Sequence, residues 1–323
     1  MDLEELTLHY YIKIFSSLLV LIFILFFLYS YLLLNQKNIS FFNSQFIIGK
    51  GESFNQVFNN NIKDLSFIDI YITKIYYRTN NILFNEFMHY GEFDTKNVSS
   101  LIDFLKLITE PSNVLNKITI VEGWSLNDLR NELLKYFINP DDIPYENIIA
   151  DTYFFEKNKN FNSLKKKIYI NKNQYFSKYK QNDLLKKYSE KEIIIIASLI
   201  EKEGFDIEDK KIISSVIFNR LNINMKLQID ATVLYAVTKG NYNLNRKLTF
   251  SDLKIEHPFN TYHIYGLPPQ PISYVGKKTL DIIFENYKSE FLFYFYNNSL
   301  NRHIFSKTYV EHKKKLNEYR NKK

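Results

Sequence analysis

The sequence predicts an α+β protein: a single N-terminal transmembrane helix, a small α+β module, and a larger mixed α/β domain. Three observations carry that reading. One run near the N-terminus is apolar and uncharged, a strand-turn-helix pattern occurs twice, and helical periodicity then alternates with strand-like and proline-rich stretches. The boundaries fall at residues 1–13, 14–34, 44–115 and 116–323.

Composition narrows the function classes. The chain has 323 residues, 46% of them hydrophobic, so a substantial core is available beyond the membrane segment. The net charge of +7 suits an anionic partner such as phospholipid or a carboxylate-bearing polymer. Basic runs such as Lys165-Lys166-Lys167 and Lys313-Lys314-Lys315 carry no nucleic-acid fold signature, so no nucleic-acid partner is expected. The absence of cysteine excludes disulfides, thiolate zinc sites and a cysteine nucleophile. The six histidines show no HExxH or paired spacing, and the eight glycines form neither a Walker loop nor a dinucleotide fingerprint. Neither a metal nor a cofactor is expected.

Ile14 to Leu34 reads "IFSSLLVLIFILFFLYSYLLL". Its length at 1.5 Å per residue is about 31 Å, close to the hydrocarbon thickness of a bilayer. Tyr10, Tyr11, Tyr29 and Tyr31 near its ends fit an aromatic belt. A cleaved signal peptide would need a basic leader and a small-residue cleavage site, whereas this leader holds Asp2, Glu4 and Glu5 against Lys13. A retained anchor follows. Lys13 and Lys37 flank the run one apiece, so charge leaves its orientation open.

The segments "FIIGKGESFNQV" (46–57) and "ITIVEGWSLNDL" (118–129) share one pattern. Alternating apolar residues make a strand, Gly51 or Gly123 makes a turn, and Ser53 or Ser125 caps the next helix. Between them Leu101–Ile108 reads as a helix that Pro111 helps to end. "NIIADTYFF" reads as a strand ending near Asp151, and the Lys-rich stretch 159–187 as solvated helix or mobile chain.

Chemistry concentrates after that stretch. Glu192–Glu203 spans three helical turns with Ile194, Ala197 and Glu201 on one apolar face. A carboxyl group on such a face is desolvated and held protonated, as a general acid requires. Glu203 lies about 200° away around the helix and serves a different point. It pairs most simply with Lys202 in solvent, and is the runner-up to Glu201 as the acid. A second helix runs through Arg220, followed by a turn at "NINM" and then Gln228, Asp230, Thr232 and Tyr235. Four of the seven prolines fall between 258 and 271, which makes a stiff loop carrying Asn260, Thr261 and Tyr262. Those side chains are suited to sugar hydroxyls and acetamides. Ser198 has no GxSxG elbow or paired histidine and is not a triad nucleophile.

"ASLIEKEG", "FNRL…MKLQIDATVLYA", "FNTYHIYGLPPQPI" and "HIFSKTYVEHKKK", with "ADTYFF" and the "GKGESF"/"VEGWSL" pair, closely resemble the endolytic murein transglycosylase, or YceG-like, family. The resemblance runs from the membrane segment almost to the C-terminus. It implies an inner-membrane lyase with a cytoplasmic N-terminus, a LysM-like module over 44–115 and an external catalytic domain over 116–323 that cuts nascent peptidoglycan glycan strands. Peptidoglycan synthases (penicillin-binding proteins) are the partners it suggests. The family's catalytic glutamate maps by motif onto Glu201, the first acid of "EKE". Departures are Ala150 in place of the proline of "PDTY", Gln270 in place of a glycine, and Tyr274-Val275 in place of Asn-Pro.

In the expected reaction Glu201 protonates the oxygen linking N-acetylmuramic acid to N-acetylglucosamine. Its carboxylate then takes the proton of the muramic C6 hydroxyl, giving a 1,6-anhydro end. Gln228, Asp230, Asn260 and Tyr262 are expected to position the glycan, with Asp151 as a further candidate. A hydrolase of the same bond, with Asp230 or Asp151 as partner carboxylate, is the alternative within enzymes. A membrane-tethered glycan-binding scaffold is the alternative outside them.

Overall fold

The computed structural model describes residues 3–157 and 160–321. The first two residues of the N-terminal segment, the start of the Lys-rich stretch at 159 and the last two residues lie outside the described residues. The chain divides into two compact units, Met1–Asn116 with Phe155–Lys159 and Lys117–Phe154 with Asn160–Lys323.

The first unit begins with α1 (Leu3–Gln36), followed by β1 (Ser40–Phe41), β2 (Gln45–Ile48), α2 (Phe54–Asn61), β3 (Ile62–Lys63), α3 (Phe67–Phe84), β4 (Gly91–Asp94) and α4 (Leu101–Thr109). Among the described residues the His9–Gln36 part of α1 is the one stretch long and apolar enough to cross a membrane. β1 pairs antiparallel with β3, and β2 with β4, with Phe46 opposite Phe93. Ser53, Ser66 and Ser100 each begin a helix with a reciprocal capping box, which satisfies two otherwise orphaned backbone groups at each start. Phe46, Phe58, Phe93 and Phe104 form an aromatic core, and Leu34 of α1 is fully buried within it.

The second unit takes shape from β5 (Leu115–Thr119) onward, with α5 (Leu126–Leu133), β6 (Thr152–Glu156), α6 (Phe161–Ser177), α7 (Leu184–Lys187) and α8 (Glu190–Glu203). After these come α9 (Ile207–Asn222), α10 (Asp230–Thr238), α11 (Lys277–Glu285), β7 (Phe293–Asn297), β8 (Arg302–Ser306) and α12 (Tyr309–Asn321). β5 neighbours β6, and β7 and β8 form an antiparallel hairpin. The repeated strand-turn-helix pattern holds at both places. Gly51 and Gly123 adopt φ of +87° and +80°, a left-handed turn that a side chain disfavours.

Two local readings change. The strand of "ADTYFF" begins at Thr152, where the sequence suggested an end. The Ala150 N–H is already taken by the Val275 carbonyl, so pairing with β5 starts beyond it. The Lys-rich stretch folds into α6 and α7, because Leu164, Ile168, Tyr175 and Phe176 give it one buried stripe among the lysines.

α8 is the centre of this unit. Ile193 through Ile200 are buried on every side, with none more than 3% exposed. α9 and α11 pack against it, and Ile213, Ile217, Leu280 and Ile283 complete the core. Burying one such side chain contributes about 1.5–3 kcal/mol, so α8 is rigidly placed up to its last turn.

Candidate functional site

The last turn of α8 carries Glu201-Lys202-Glu203, and Gly204 ends the helix. The three side chains go to three different places. Glu201 is 4% exposed by side chain and ion-paired with Lys210 at the start of α9. Its other oxygen accepts the Gly276 N–H at 3.3 Å, just before α11. Lys210 also donates to the Thr279 hydroxyl at 3.0 Å, so the pair locks α8, α9 and α11 together. Gly204 makes room for it, since a β-carbon there would stand 2.2 Å from the Lys210 side chain. A β-carbon at Gly276 would stand 2.0 Å from the Glu122 carboxyl, so the glycine also makes room for that group.

Lys202 and Glu203 do not form the solvated pair that the sequence suggested. Lys202 reaches the Gly123 carbonyl at 3.3 Å and lies 3.8 Å over the Tyr242 ring, and burial lowers its pKa. Glu203 turns the opposite way, toward β7 and α10, because two residues along a helix rotate by about 200°. It is partly buried, and the Tyr294 hydroxyl approaches it at 3.4 Å. Burial, with the Asp230 charge adding to it, pushes the Glu203 carboxyl up to about 7. His303, the Ala231 N–H and Tyr294 pull in the other direction without reversing the shift.

Three of the expected glycan-contacting residues gather on the Glu203 side. Asp230 opens α10, is exposed, and accepts the Tyr262 hydroxyl at 2.6 Å. Burial and the Asp230 charge raise the Tyr262 phenol well above its usual value, so it remains a donor. Gln228 is exposed and held at φ +50° by a turn whose N–H donates to the Thr261 carbonyl. The next N–H, of Ile229, goes to the Thr261 hydroxyl at 2.9 Å, so "LQID" and "FNTY" form one braced edge.

Asn260 is fully buried and its amide is spent within its own loop. It donates to the Leu253 and Ile255 carbonyls at 3.0 and 2.8 Å and accepts from the Tyr262 N–H at 2.9 Å. It holds Tyr262 in place and leaves no group free for a sugar. Asp151 stands apart from this cluster, bound by Lys277 at 2.5 Å, Asn171 at 3.2 Å and the Thr152 N–H at 2.8 Å. Burial raises its pKa, but those partners more than offset it and the net shift is downward, so Asp151 is a carboxylate. Ser198 is buried, donating to the Ile195 carbonyl and accepting from the Ile272 N–H.

Sequence reasoning missed several supporting groups. Asp209 and His303 form a buried pair 2.8 Å apart, with the His303 ring edge-on to Tyr294. "HIFSKTY" was singled out as a motif, but nothing in the string indicated that His303 would meet α9. Tyr294 sits in an aromatic-rich run, "FLFYFY", that gives no cue to which ring faces an acid. Lys210 follows Glu201 by nine residues across a helix break, beyond any local periodicity.

Comparison with known proteins places this site in a family. The model of the YceG-like family matches residues 46–318. An endolytic murein transglycosylase from Bacillus subtilis is 37% identical over 147 residues, covering 46% of this chain and 39% of that protein. One from Streptococcus pneumoniae is 30% identical over 154 residues, covering 47% and 27% respectively. The chain therefore matches well under half the length of these curated relatives. The crystal structure of a YceG-like protein from Listeria monocytogenes superposes with a TM-score of 0.52 at 24% identity, covering 84% of this chain and 98% of that one, which speaks to the fold. The family match takes in both units and every residue of the site, and on that ground the chain belongs to the YceG-like family.

Proposed function

We propose that the chain is a membrane-anchored peptidoglycan lytic transglycosylase whose acid is Glu203. The observation that carries the choice is the contrast between two glutamates one turn-fraction apart. Glu201 is ion-paired with Lys210, and its second oxygen accepts the Gly276 N–H. Glu203 is held half-protonated at about pH 7, beside an edge of exposed polar groups. A group that must give and then take one proton works best when its pKa lies near the working pH.

Protonated Glu203 donates to the glycosidic oxygen between N-acetylmuramic acid and N-acetylglucosamine. The C1–O bond breaks, positive charge develops on the sugar ring, and the neighbouring Asp230 carboxylate stabilises it. Tyr262 fixes Asp230, and Gln228 offers its amide to the glycan. The Glu203 carboxylate then accepts the C6 hydroxyl proton as O6 closes on C1. The product is a 1,6-anhydro end, with no water consumed. Cutting within nascent strands would end their elongation. The proximity of Asp230 to Glu203 also supports a second reading, in which Asp230 serves a water and the products are reducing ends.

Under this proposal α1 anchors the chain in the inner membrane with its N-terminus in the cytoplasm, and the rest works on the glycan side. The first unit would serve as a LysM-like glycan-binding module, and peptidoglycan synthases are the natural partners for a nascent-strand enzyme. The test is steady-state cleavage of glycan strands. Glu203→Gln is expected to lower kcat by about 10²–10⁴-fold. Full activity in Glu203→Gln would remove the proposal.

A further inference from the structure

The apolar segment and the first unit are not joined end to end. Phe27 of α1 stacks on Tyr76 of α3 with ring centroids 4.7 Å apart, and Tyr31 lies 6.4 Å from the same ring. Lys37, just past α1, pairs with Asp69 in the first turn of α3 at 3.0 Å. As α3 advances from Asp69 to Tyr76 its partners on α1 recede from Lys37 to Phe27, so the two helices run antiparallel. Phe84 lies eight residues beyond Tyr76, up to about 12 Å further back toward the N-terminal end of α1. At that end α3 and the following turn expose Ile82 (81%), Leu83, Phe84 and Phe87, a cluster with no covering element among the described residues.

We propose that this tip of the first unit is inserted into the interfacial layer of the bilayer that α1 crosses. The inference rests on the reading of α1 as a membrane anchor. A bilayer boundary at Leu34 does not fit, because Leu34 lies fully inside a protein core. A span from His9 to Leu28 supplies the roughly 20 residues that a 30 Å hydrocarbon layer needs. Lys13 then snorkels to the near interface, and Tyr29 and Tyr31 sit at the far one. With the boundary at Leu28, Phe84 lies up to about 13 Å below it when α3 runs along the membrane normal, and a tilt of α3 brings it toward the roughly 10 Å to which interfacial helices bury their apolar faces. Arg78, exposed nearly two turns earlier on α3, lies about 4–5 Å inside that boundary, from where its long side chain snorkels to the lipid phosphates. The lipid chains cover the aromatic tip.

The cysteine-free chain makes the test direct. The full chain is prepared as Phe84→Cys, as Ile82→Cys and as Leu21→Cys in the middle of α1. Each is labelled with an environment-sensitive fluorophore and reconstituted in phosphatidylglycerol–phosphatidylethanolamine vesicles containing spin-labelled lipids. The expected result is a blue-shifted emission at positions 84 and 82 that is lost most strongly to spin labels near the glycerol, and at position 21 to labels near the chain end. Quenching at 21 with none at 84 and 82 overturns the inference and leaves the anchor standing. A blue shift at 84 without lipid quenching also overturns it, pointing to a second copy or another protein over the tip. No quenching at any position removes the anchor and the inference together.

Discussion

At the scale of single residues, the account turns on Glu203 and on what its environment costs. Its carboxyl is raised from the ordinary value to about 7, so the folded chain binds that proton more tightly than the unfolded chain does. The sign follows by linkage: stability falls as pH rises from the unfolded carboxyl pKa to about 7, and the loss is complete above it. Glu203→Gln is therefore expected to stabilise the fold by about 1–3 kcal/mol at pH 8 and to leave it unchanged near pH 4, read from urea melts at the two pH values. Glu201→Gln should act in the opposite sense. It leaves Lys210 unpaired in a largely closed site and costs about 2–4 kcal/mol at neutral pH, while kcat falls less than tenfold. An equal and large kcat loss in both variants would break the distinction between them. The catalytic rate should also decline as pH rises through about 7, as Glu203 loses the proton it has to donate.

At the scale of elements, α8 was the most legible part of the chain. Its isoleucine run and its last acids follow from periodicity, while its start at Glu190, two residues before the expected Glu192, is set by the Ser189 capping box. The direction of each acid was legible too, since 3.6 residues per turn separates Glu201 from Glu203. What each direction meets was not. The partners of Glu201 come from α9 and α11, and those of Glu203 from α10 and β7, up to 91 residues away in sequence. An apolar helix face therefore did not mean a desolvated, unpaired acid, because Lys210 fills that face. Asn260 shows the same limit: its residue type suits a sugar, while its position in a proline-stiffened loop claims the amide for the backbone. Gly204 offers a sharp test of how the elements lock. Gly204→Ala forces the Lys210 side chain off its path and is expected to destabilise by about 1–3 kcal/mol, measured by thermal or urea unfolding. Wild-type stability in that variant would show that the α8–α9 junction is looser than the Lys210 pairing implies.

At the scale of the whole molecule, the chain forms two compact units, Met1–Asn116 with Phe155–Lys159 and Lys117–Phe154 with Asn160–Lys323. The sequence marks the start of a strand-turn-helix at "EGWS". It did not show that α1 continues into the first unit, since an uninterrupted apolar run cannot mark where lipid contact gives way to protein contact. Leu34 and Phe27 look alike in sequence to Leu21 and Phe23, yet only the former pair packs against the first unit. The measurement that tests the central claim most directly is mass spectrometry of peptidoglycan digested by the full chain, beside Glu203→Gln and Glu201→Gln. The account predicts anhydro-ended fragments from the unaltered chain and from Glu201→Gln, and none from Glu203→Gln. Anhydro fragments that survive in Glu203→Gln and vanish in folded Glu201→Gln would contradict it.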